Sequence, residues 1–276
     1  MMETSLPYAE VIGDPIAHSK SPLIHNFWLR KLGIEAEYRK THVQPEELAA
    51  YFLKRRADPD WLGCNVTIPH KVAVMDYVRD PGHVADLIGA MNTIACETGG
   101  PLIGTNTDAG GFLAPLQRQG WAGKSACIIG AGGAARAILY ALLSSGVEDM
   151  TIMARDAAKG HALLDRAGAK GRFIGIDAPL HPVDLLVNSS PLGMVGQPPL
   201  EIELTPLPEH SIVYDIVYAP LDTPLLNQAR ARGLATIDGL EMLIGQAALA
   251  FDIFFDAQPP REHDAELKAL LCAAQG

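Results

Sequence analysis

Four short stretches of this 276-residue chain place hydroxyls, amides, an ammonium and a carboxylate where a packed core would take apolar residues. They are GDPIAHSKSP from Gly13 to Pro22, NVTIPHK from Asn65 to Lys71, AMNT from Ala90 to Thr93 and NTDAGG from Asn106 to Gly111. Each falls at the end of a predicted strand or the start of a predicted helix, where the ligand sites of α/β folds gather. Together they hold what is needed to grip a small polyhydroxylated acid and to move a proton. Taken singly, each has a plainer explanation. Ser19 and Ser21 could cap a helix, Asn92 and Asn106 could serve turns, and Asp108 could cap the helix after it. For any one of them alone, capping is the better reading.

A fifth stretch carries a different chemistry. Cys127 to Arg136 reads CIIGAGGAAR, which fits G-x-G-x-x-A between an apolar strand and a helix. Gly130 permits the tight turn. Gly132 lacks a Cβ, so a pyrophosphate can approach its backbone. Ala135 is small enough for helix and strand to pack closely. The first-turn N–H groups, from Ala131 through Gly133 and Ala134, and the helix dipole would then hold phosphates. The plain alternative is a β–α turn whose glycines serve packing only. The end of the following strand selects the dinucleotide. An acidic residue there accepts from both ribose hydroxyls, whereas Arg pairs with a 2′-phosphate. Here Met153 and Ala154 lead into Arg155, Asp156 and Lys159. Arg155 and Lys159 could clamp a phosphate, which favours NADP; Asp156 would oppose it if its carboxylate turned inward, and that leaves NAD open. All three could equally be solvated surface charges.

The elements that must position these residues follow from the apolar pattern. Tyr8–Ile12 is a predicted strand. Ser21 and Pro22 open a helix with an apolar face of Leu23, Ile24, Phe27, Trp28 and Leu32, closed by Gly33. A strand over 36–42, a helix from Gln44 to about Arg56 and a strand over 62–66 follow, and Ile68 to Lys71 leads into another helix. The segments 91–95 and 102–104 form a hairpin around Glu97 to Pro101. Next come a helix over 109–118, strands over 125–129, 149–153, 172–176, 185–188, 212–215 and 235–237, and helices to about Ser144 and over 157–167. Two helices, 240–255 and 264–274, close the chain. Alternating strands and helices with apolar strands predict an α/β fold with a parallel sheet covered on both faces.

Composition agrees with a globular enzyme. The chain is 48 % hydrophobic and 20 % charged, enough apolar material for two cores. Its net charge of −10 repels a phosphate backbone, so nucleic acid is not an expected partner. An acidic protein that binds an anion must concentrate positive charge locally. The four cysteines show no C-x-x-C spacing and read mostly as buried free thiols, and the nine histidines show no H-x-x-x-H pair, so no metal is expected. The N-terminus has no signal-peptide pattern and no apolar run is long enough to span a membrane, so a cytoplasmic protein is expected.

The five stretches, taken with N-S-S-P-L-G-M (Asn188 to Met194), D-I-V-Y (Asp215 to Tyr218) and D-G-L-E-M-L-I-G-Q (Asp238 to Gln246), closely resemble the shikimate dehydrogenase family. They occur in the family's order over almost the whole chain. The resemblance implies reversible NADPH-dependent reduction of 3-dehydroshikimate to shikimate, on the route to chorismate and aromatic amino acids. It implies a two-domain α/β fold. A substrate-binding and catalytic domain with a mixed sheet spans 1–107 and is completed by C-terminal helices from 240 to 276; a Rossmann-type NADP-binding domain spans 108–239. It makes Lys71 and Asp108 the catalytic pair. It assigns Ser19, Ser21, Asn65, Thr67, Asn92, Tyr218 and Gln246 to the substrate. Gly130, Ala131, Gly132, Gly133, Ala134, Ala154, Arg155, Asp156, Lys159, Ile216, Gly239 and Met242 would line the cofactor site.

Two positions depart from the family's usual pattern. Ala154-Arg155-Asp156 stands where the family often has Asn-Arg-Thr, and Ser189-Ser190 replaces Ala-Thr. The first keeps an NAD-dependent quinate/shikimate dehydrogenase as an alternative. An amino-shikimate dehydrogenase is a further relative. A non-enzymatic cofactor-sensing regulator on the same fold would have lost the Lys71/Asp108 pair, and both residues are present. His18, His25 and His70 are alternative acid–base groups, but His70 and Lys71 are sequence neighbours and do not face the same way on a helix. Trp28, Phe251, Phe254 and Phe255 have helical spacing and read as core. The expected partner is a small-molecule substrate, with the chain a monomer or homodimer.

Overall fold

A computed structural model describes residues 6–96 and 100–274. The chain divides into two compact units. The first takes the residues up to Thr107 and those from Gln246 to Ala274; the second is Asp108–Gly245.

The first unit is built on β1 (Tyr8–Gly13), α1 (Ser21–Leu32), β2 (Glu37–His42), α2 (Leu48–Arg56), β3 (Trp61–Val66), the short α3 (Val84–Leu87), β4 (Thr93–Cys96) and β5 (Leu102–Thr105). The strands lie in the order β2-β1-β3-β4-β5. β1 pairs parallel with β2 and β3, and the remaining pairs are antiparallel, so the sheet is mixed. The polar sequence of β2, EYRKTH, suits an edge strand, where charge discourages further pairing. Residues 97–99 of the expected hairpin turn lie outside the described residues.

The second unit contains α4 (Asp108–Arg118), β6 (Ser125–Ile129), α5 (Gly133–Ser144), β7 (Asp149–Ala154), α6 (Ala157–Arg166), β8 (Gly171–Gly175), β9 (Leu185–Asn188), β10 (Ile212–Asp215), α7 (Pro224–Ala231) and β11 (Ala235–Ile237). All six strands are parallel, in the order β11-β10-β9-β6-β7-β8. Numbered within the unit, that is 6-5-4-1-2-3, the Rossmann order. β9 and β10 are buried at every position, as strands covered on both faces must be. α8 (Gly239–Phe255) starts in this unit and ends in the first, and α9 (Asp264–Ala273) follows. No described helix is long and apolar enough to cross a membrane.

Three local expectations change. Ser21 is the first helical residue rather than the N-cap, because the Lys20 carbonyl already accepts from Leu23 and Ile24. No α-helix follows Lys71; a 3-10 turn spans Ala73–Tyr77. The Lys71 carbonyl, which a helix would need as an acceptor, takes the Met91 N–H at 2.7 Å instead. α7 had no counterpart in the sequence pattern, although Thr223 before Pro224 is a helix-start signal, and the Thr223 hydroxyl caps Leu226. Of the cysteines, Cys64 and Cys127 are buried, Cys96 is half-buried and Cys272 is exposed.

Among the titratable groups buried in the first unit's core are Glu10 and His25. On the face of β1 toward α2, fully buried Glu10 takes hydrogen bonds from Thr41, from the Tyr51 hydroxyl at 2.8 Å and from Arg55 Nε at 2.6 Å. A buried carboxylate requires that many partners. On the face packed by α1 and α8, His25 stacks on Tyr38 with ring centroids 3.9 Å apart and meets Trp28 and Phe251 at 5.8 Å. Neither of its ring nitrogens has a hydrogen-bond partner. Burial drives its pKa down from 6.5 to about 3, so it is neutral in the folded protein.

The unfolded chain therefore binds a proton at this histidine below about pH 6.5 that the folded chain refuses until about pH 3. Stability conferred by a neutral His25 is complete above pH 6.5 and falls as the pH drops through that window. The expected slope is about 1.4 kcal/mol per pH unit from this residue. Urea unfolding between pH 7 and pH 5 checks it, because His25→Leu should lose that component of the slope.

Candidate active site

In the first unit, the strand ends converge on a chain of buried polar groups. Asn65, at the penultimate position of β3, donates through Nδ2 to the Thr93 hydroxyl at 3.0 Å and to the Asn92 carbonyl at 3.2 Å. Its Oδ1 accepts from the Tyr38 hydroxyl at 2.5 Å. Thr93 passes its own proton to Asn92 Oδ1 at 3.0 Å, which also accepts the Thr107 N–H at 2.7 Å. Asn106 donates to the Ala90 carbonyl at 2.8 Å. The antiparallel register explains the convergence, since Asn65 lies opposite Thr93 and Thr93 opposite Thr105. Buried amides and hydroxyls need such partners, and a satisfied network holds each group in one orientation.

Around this chain lie the other expected residues of the unit. The Thr67 N–H donates to the Ile12 carbonyl and the Asp14 N–H to that of Ile68, both at 3.0 Å. The loop after β1 is thus bound to the loop after β3. Ser19 Oγ accepts the Ser21 N–H at 3.4 Å, a loose capping contact. Lys71 is half-buried. Its neighbour His70 is buried, with Nε2 bonded to the Val43 carbonyl at 2.7 Å, so it serves as a satisfied core histidine. His25 is walled in by aromatic rings. Gln246 belongs to this unit as well, whereas Asp108, first residue of α4 and buried, and Tyr218 belong to the second.

In the second unit, β6 and β9 are neighbours whose connections leave in opposite directions, which opens a crevice at their C-terminal ends. Gly130 sits there with φ +110°, and a Cβ on it would come within 2.9 Å of Ser189 Oγ. Gly132 is the N-cap of α5, and a Cβ on it would meet no protein atom within 4 Å. Packing therefore requires glycine at 130 but not at 132. The plain packing explanation fails at Gly132, where the bare backbone leaves room beside the helix N-terminus for a phosphate. Ala131, Gly133 and Ala134 complete that turn.

At the end of β7, Asp156 caps α6. Its Oδ1 accepts the Lys159 N–H at 3.1 Å, and Lys159 Nζ stands 3.6 Å from Oδ2. The Lys159 N–H holds the Asp156 carboxyl below the usual range, so it is anionic at neutral pH. Ala154 is buried, and Arg155 is exposed beside it.

A second polar cluster went unassigned in the sequence. Asn188 Nδ2 donates to Asp215 Oδ1 and to the Leu192 carbonyl, each at 3.0 Å. Asp215 also accepts from the Val217 N–H at 3.0 Å and the Thr223 hydroxyl at 2.7 Å. The Ile216 N–H donates to the Asn188 carbonyl at 3.0 Å. All three side chains are fully buried, and burial raises the Asp215 pKa. The cluster fixes the segment after β10, and with it the expected cofactor residue Ile216. Gly239 packs on the same segment, where a Cβ would fall 2.4 Å from the Ile216 carbonyl oxygen, and Met242 follows one helical turn later. The signal for the cluster was the polar NSSP and DIVY motifs at the ends of buried strands.

Comparison with known proteins decides the family. Residues 11–94 match the shikimate dehydrogenase substrate binding domain, 113–193 the shikimate / quinate 5-dehydrogenase family and 239–266 the shikimate 5′-dehydrogenase C-terminal domain. The shikimate dehydrogenase (NADP(+)) of Sphingopyxis alaskensis is 59 % identical over 97 % of both chains. The chain belongs to the shikimate dehydrogenase family. Among solved structures, the shikimate 5-dehydrogenase of Thermus thermophilus in complex with NADP(H) and shikimate superposes with a TM-score of 0.86 at 33 % identity, covering 96 % of this chain and 99 % of that one. The 5-ketofructose reductase of a Gluconobacter strain gives 0.89 at 30 % identity, covering 97 % and 99 %. The same fold thus occurs in proteins named for different substrates.

The two glycines of the turn separate packing from ligand binding experimentally. Gly132→Ala should leave the thermal unfolding free energy within about 0.5 kcal/mol, a weaker N-cap being offset by a less flexible unfolded chain, while raising the KM for the dinucleotide at least tenfold. Gly130→Ala should instead destabilise the fold by about 1–3 kcal/mol through its positive φ and the contact with Ser189. Thermal unfolding and initial-rate kinetics on the two variants make the comparison.

Proposed function

We propose that this shikimate dehydrogenase family member reversibly reduces 3-dehydroshikimate to shikimate with NADPH, as a cytoplasmic enzyme of the chorismate route and as a monomer or homodimer. The observation that carries this reading is the hydrogen-bonded chain from Tyr38 to Thr107, which holds Asn65 and Asn92 in fixed orientations in the unit that also bears Lys71. The first unit is read as the substrate-binding and catalytic domain and the second as the NADP-binding domain.

The Gly130–Ala134 turn would hold the pyrophosphate, and Ala154, Arg155, Asp156 and Lys159 would surround the 2′-phosphate. Ile216, Gly239 and Met242 would line the remainder of the site. When bound, the nicotinamide supplies or takes the hydride at C3. The chain's own residues do the rest. Lys71 donates the proton that the C3 oxygen needs as the carbonyl becomes an alcohol, and its charge favours the developing oxyanion. Asp108 accepts from a substrate hydroxyl and orients it. The Ser19 and Ser21 hydroxyls bind the substrate carboxylate, and Asn65, Thr67, Asn92, Tyr218 and Gln246 hold the ring hydroxyls. Asn65 already donates both amide hydrogens within the protein, so toward substrate it acts as an acceptor.

NADP is favoured because Asp156 uses its carboxylate as the α6 cap and ion-pairs with Lys159, rather than presenting it to a ribose. It keeps the capping function that Thr would perform at the same position, at the expense of a negative charge near the phosphate.

Lys71→Ala should lower kcat by two or more orders of magnitude with little change in KM; an unchanged kcat removes Lys71 as proton donor. Asp156→Thr keeps a cap and removes the charge. It should lower the KM for NADP a few-fold and leave that for NAD alone. Initial rates of nicotinamide reduction, with shikimate and quinate each paired with NADP and NAD, measure both. A wild type faster with quinate and NAD would contradict the substrate and cofactor assigned here.

A further inference from the structure

Tyr38, on β2, is hydrogen-bonded to a candidate substrate ligand on another strand. From β2 it reaches across β1, and its hydroxyl donates to Asn65 Oδ1 on β3 at 2.5 Å. Its own position on β2 is over-determined. The Asn26 side chain clamps its backbone from both sides, accepting the Tyr38 N–H at 3.0 Å and donating to the Tyr38 carbonyl at 2.8 Å. The His25 ring lies flat against the phenol at 3.9 Å, tilted by only 8°. Residues 25 and 26 thus hold one tyrosine by ring and by backbone. The Asn92 carbonyl, which can only accept, draws the Asn65 Nδ2 to itself, and the tyrosine donates to the Oδ1 that then faces the phenol.

We infer that Tyr38 is a positioning residue for substrate specificity: through Asn65 and Thr93 it sets the donor and acceptor directions that a polyhydroxylated acid meets in the first unit. The order of the chain is what makes this work. Tyr38 donates to Asn65, Asn65 to Thr93, and Thr93 to Asn92, each step having one direction. Remove the phenol hydroxyl and Asn65 Oδ1 loses its protein donor, while the Asn92 carbonyl still holds Nδ2. Held on one side only, the amide can tilt, and the acceptor it offers and its contact with Thr93 lose their fixed direction. Tyr38 is itself 2 % exposed, and it acts through Asn65. The inference rests on the proposed shikimate site.

The test is Tyr38→Phe, which keeps the ring stack and removes only the hydroxyl, alongside Thr93→Val, which keeps the side-chain shape and breaks the relay one step later. Thr93→Ser is the conservative rescue. The expected result is a KM for shikimate raised on the order of tenfold in Tyr38→Phe and Thr93→Val, a KM for NADP within twofold of wild type in both, and recovery of the shikimate KM in Thr93→Ser. A merely structural role would lower the thermal midpoint and the active fraction while leaving the shikimate KM unchanged, and that result in either variant overturns the inference. If Tyr38→Phe does not fold, Thr93→Val and Thr93→Ser decide it by the same criterion. A wild type that does not oxidise shikimate with NADP refutes the underlying functional reading instead, which keeps the two failures apart.

Discussion

A buried primary amide has two donors and an acceptor that water cannot reach, and the first unit is arranged to satisfy Asn65. Its partners come from β2, from β4 and from the segment just before β4, so the strand order and the antiparallel register are fixed wherever its hydrogen bonds are made. Leaving one of those groups unpaired would cost about 1–3 kcal/mol, comparable with the effect of a damaging core mutation. The result is a polar patch with almost no rotational freedom, which is what recognition of a small, stereochemically dense acid demands.

The second unit solves a related problem with different material. The buried strands β9 and β10 carry no amide or carboxylate until their C-terminal ends, where Asn188 and Asp215 stand fully buried. One carboxylate receives Asn188, the Val217 N–H and Thr223, and so ties the loops after β9 and β10 to the cap of α7. The crevice at the switch point is thereby built from rigid turns. Gly130 is needed by the fold itself, whereas the empty space beside Gly132 is left for something other than protein.

Charge follows the same economy of local placement. The chain is acidic overall, yet the α6 start carries Arg155 and Lys159 around a single anion whose carboxylate is engaged by the helix it caps. An acidic residue at the end of the second Rossmann strand is usually a sign of NAD. Here its hydrogen bonds run back into the protein, so the residue type alone misleads.

The sequence by itself determined the strands, most helices, the Gly-rich turn and the family, because hydrophobic period, glycine placement and motif order are local properties written in consecutive residues. It also separated Lys71 from His70, whose ring is buried against Val43. What it did not contain was direction. The Lys71 segment departs from a helix because Met91, twenty residues on, takes its carbonyl. Asp156 turns toward Lys159, His25 loses every polar partner to a ring of aromatics, and Tyr38 finds Asn65 across β1. Each of those outcomes depends on which residues distant in sequence arrive beside it, and only the folded chain, by pairing β1 with β2 and β3 and closing the helices over them, decides that.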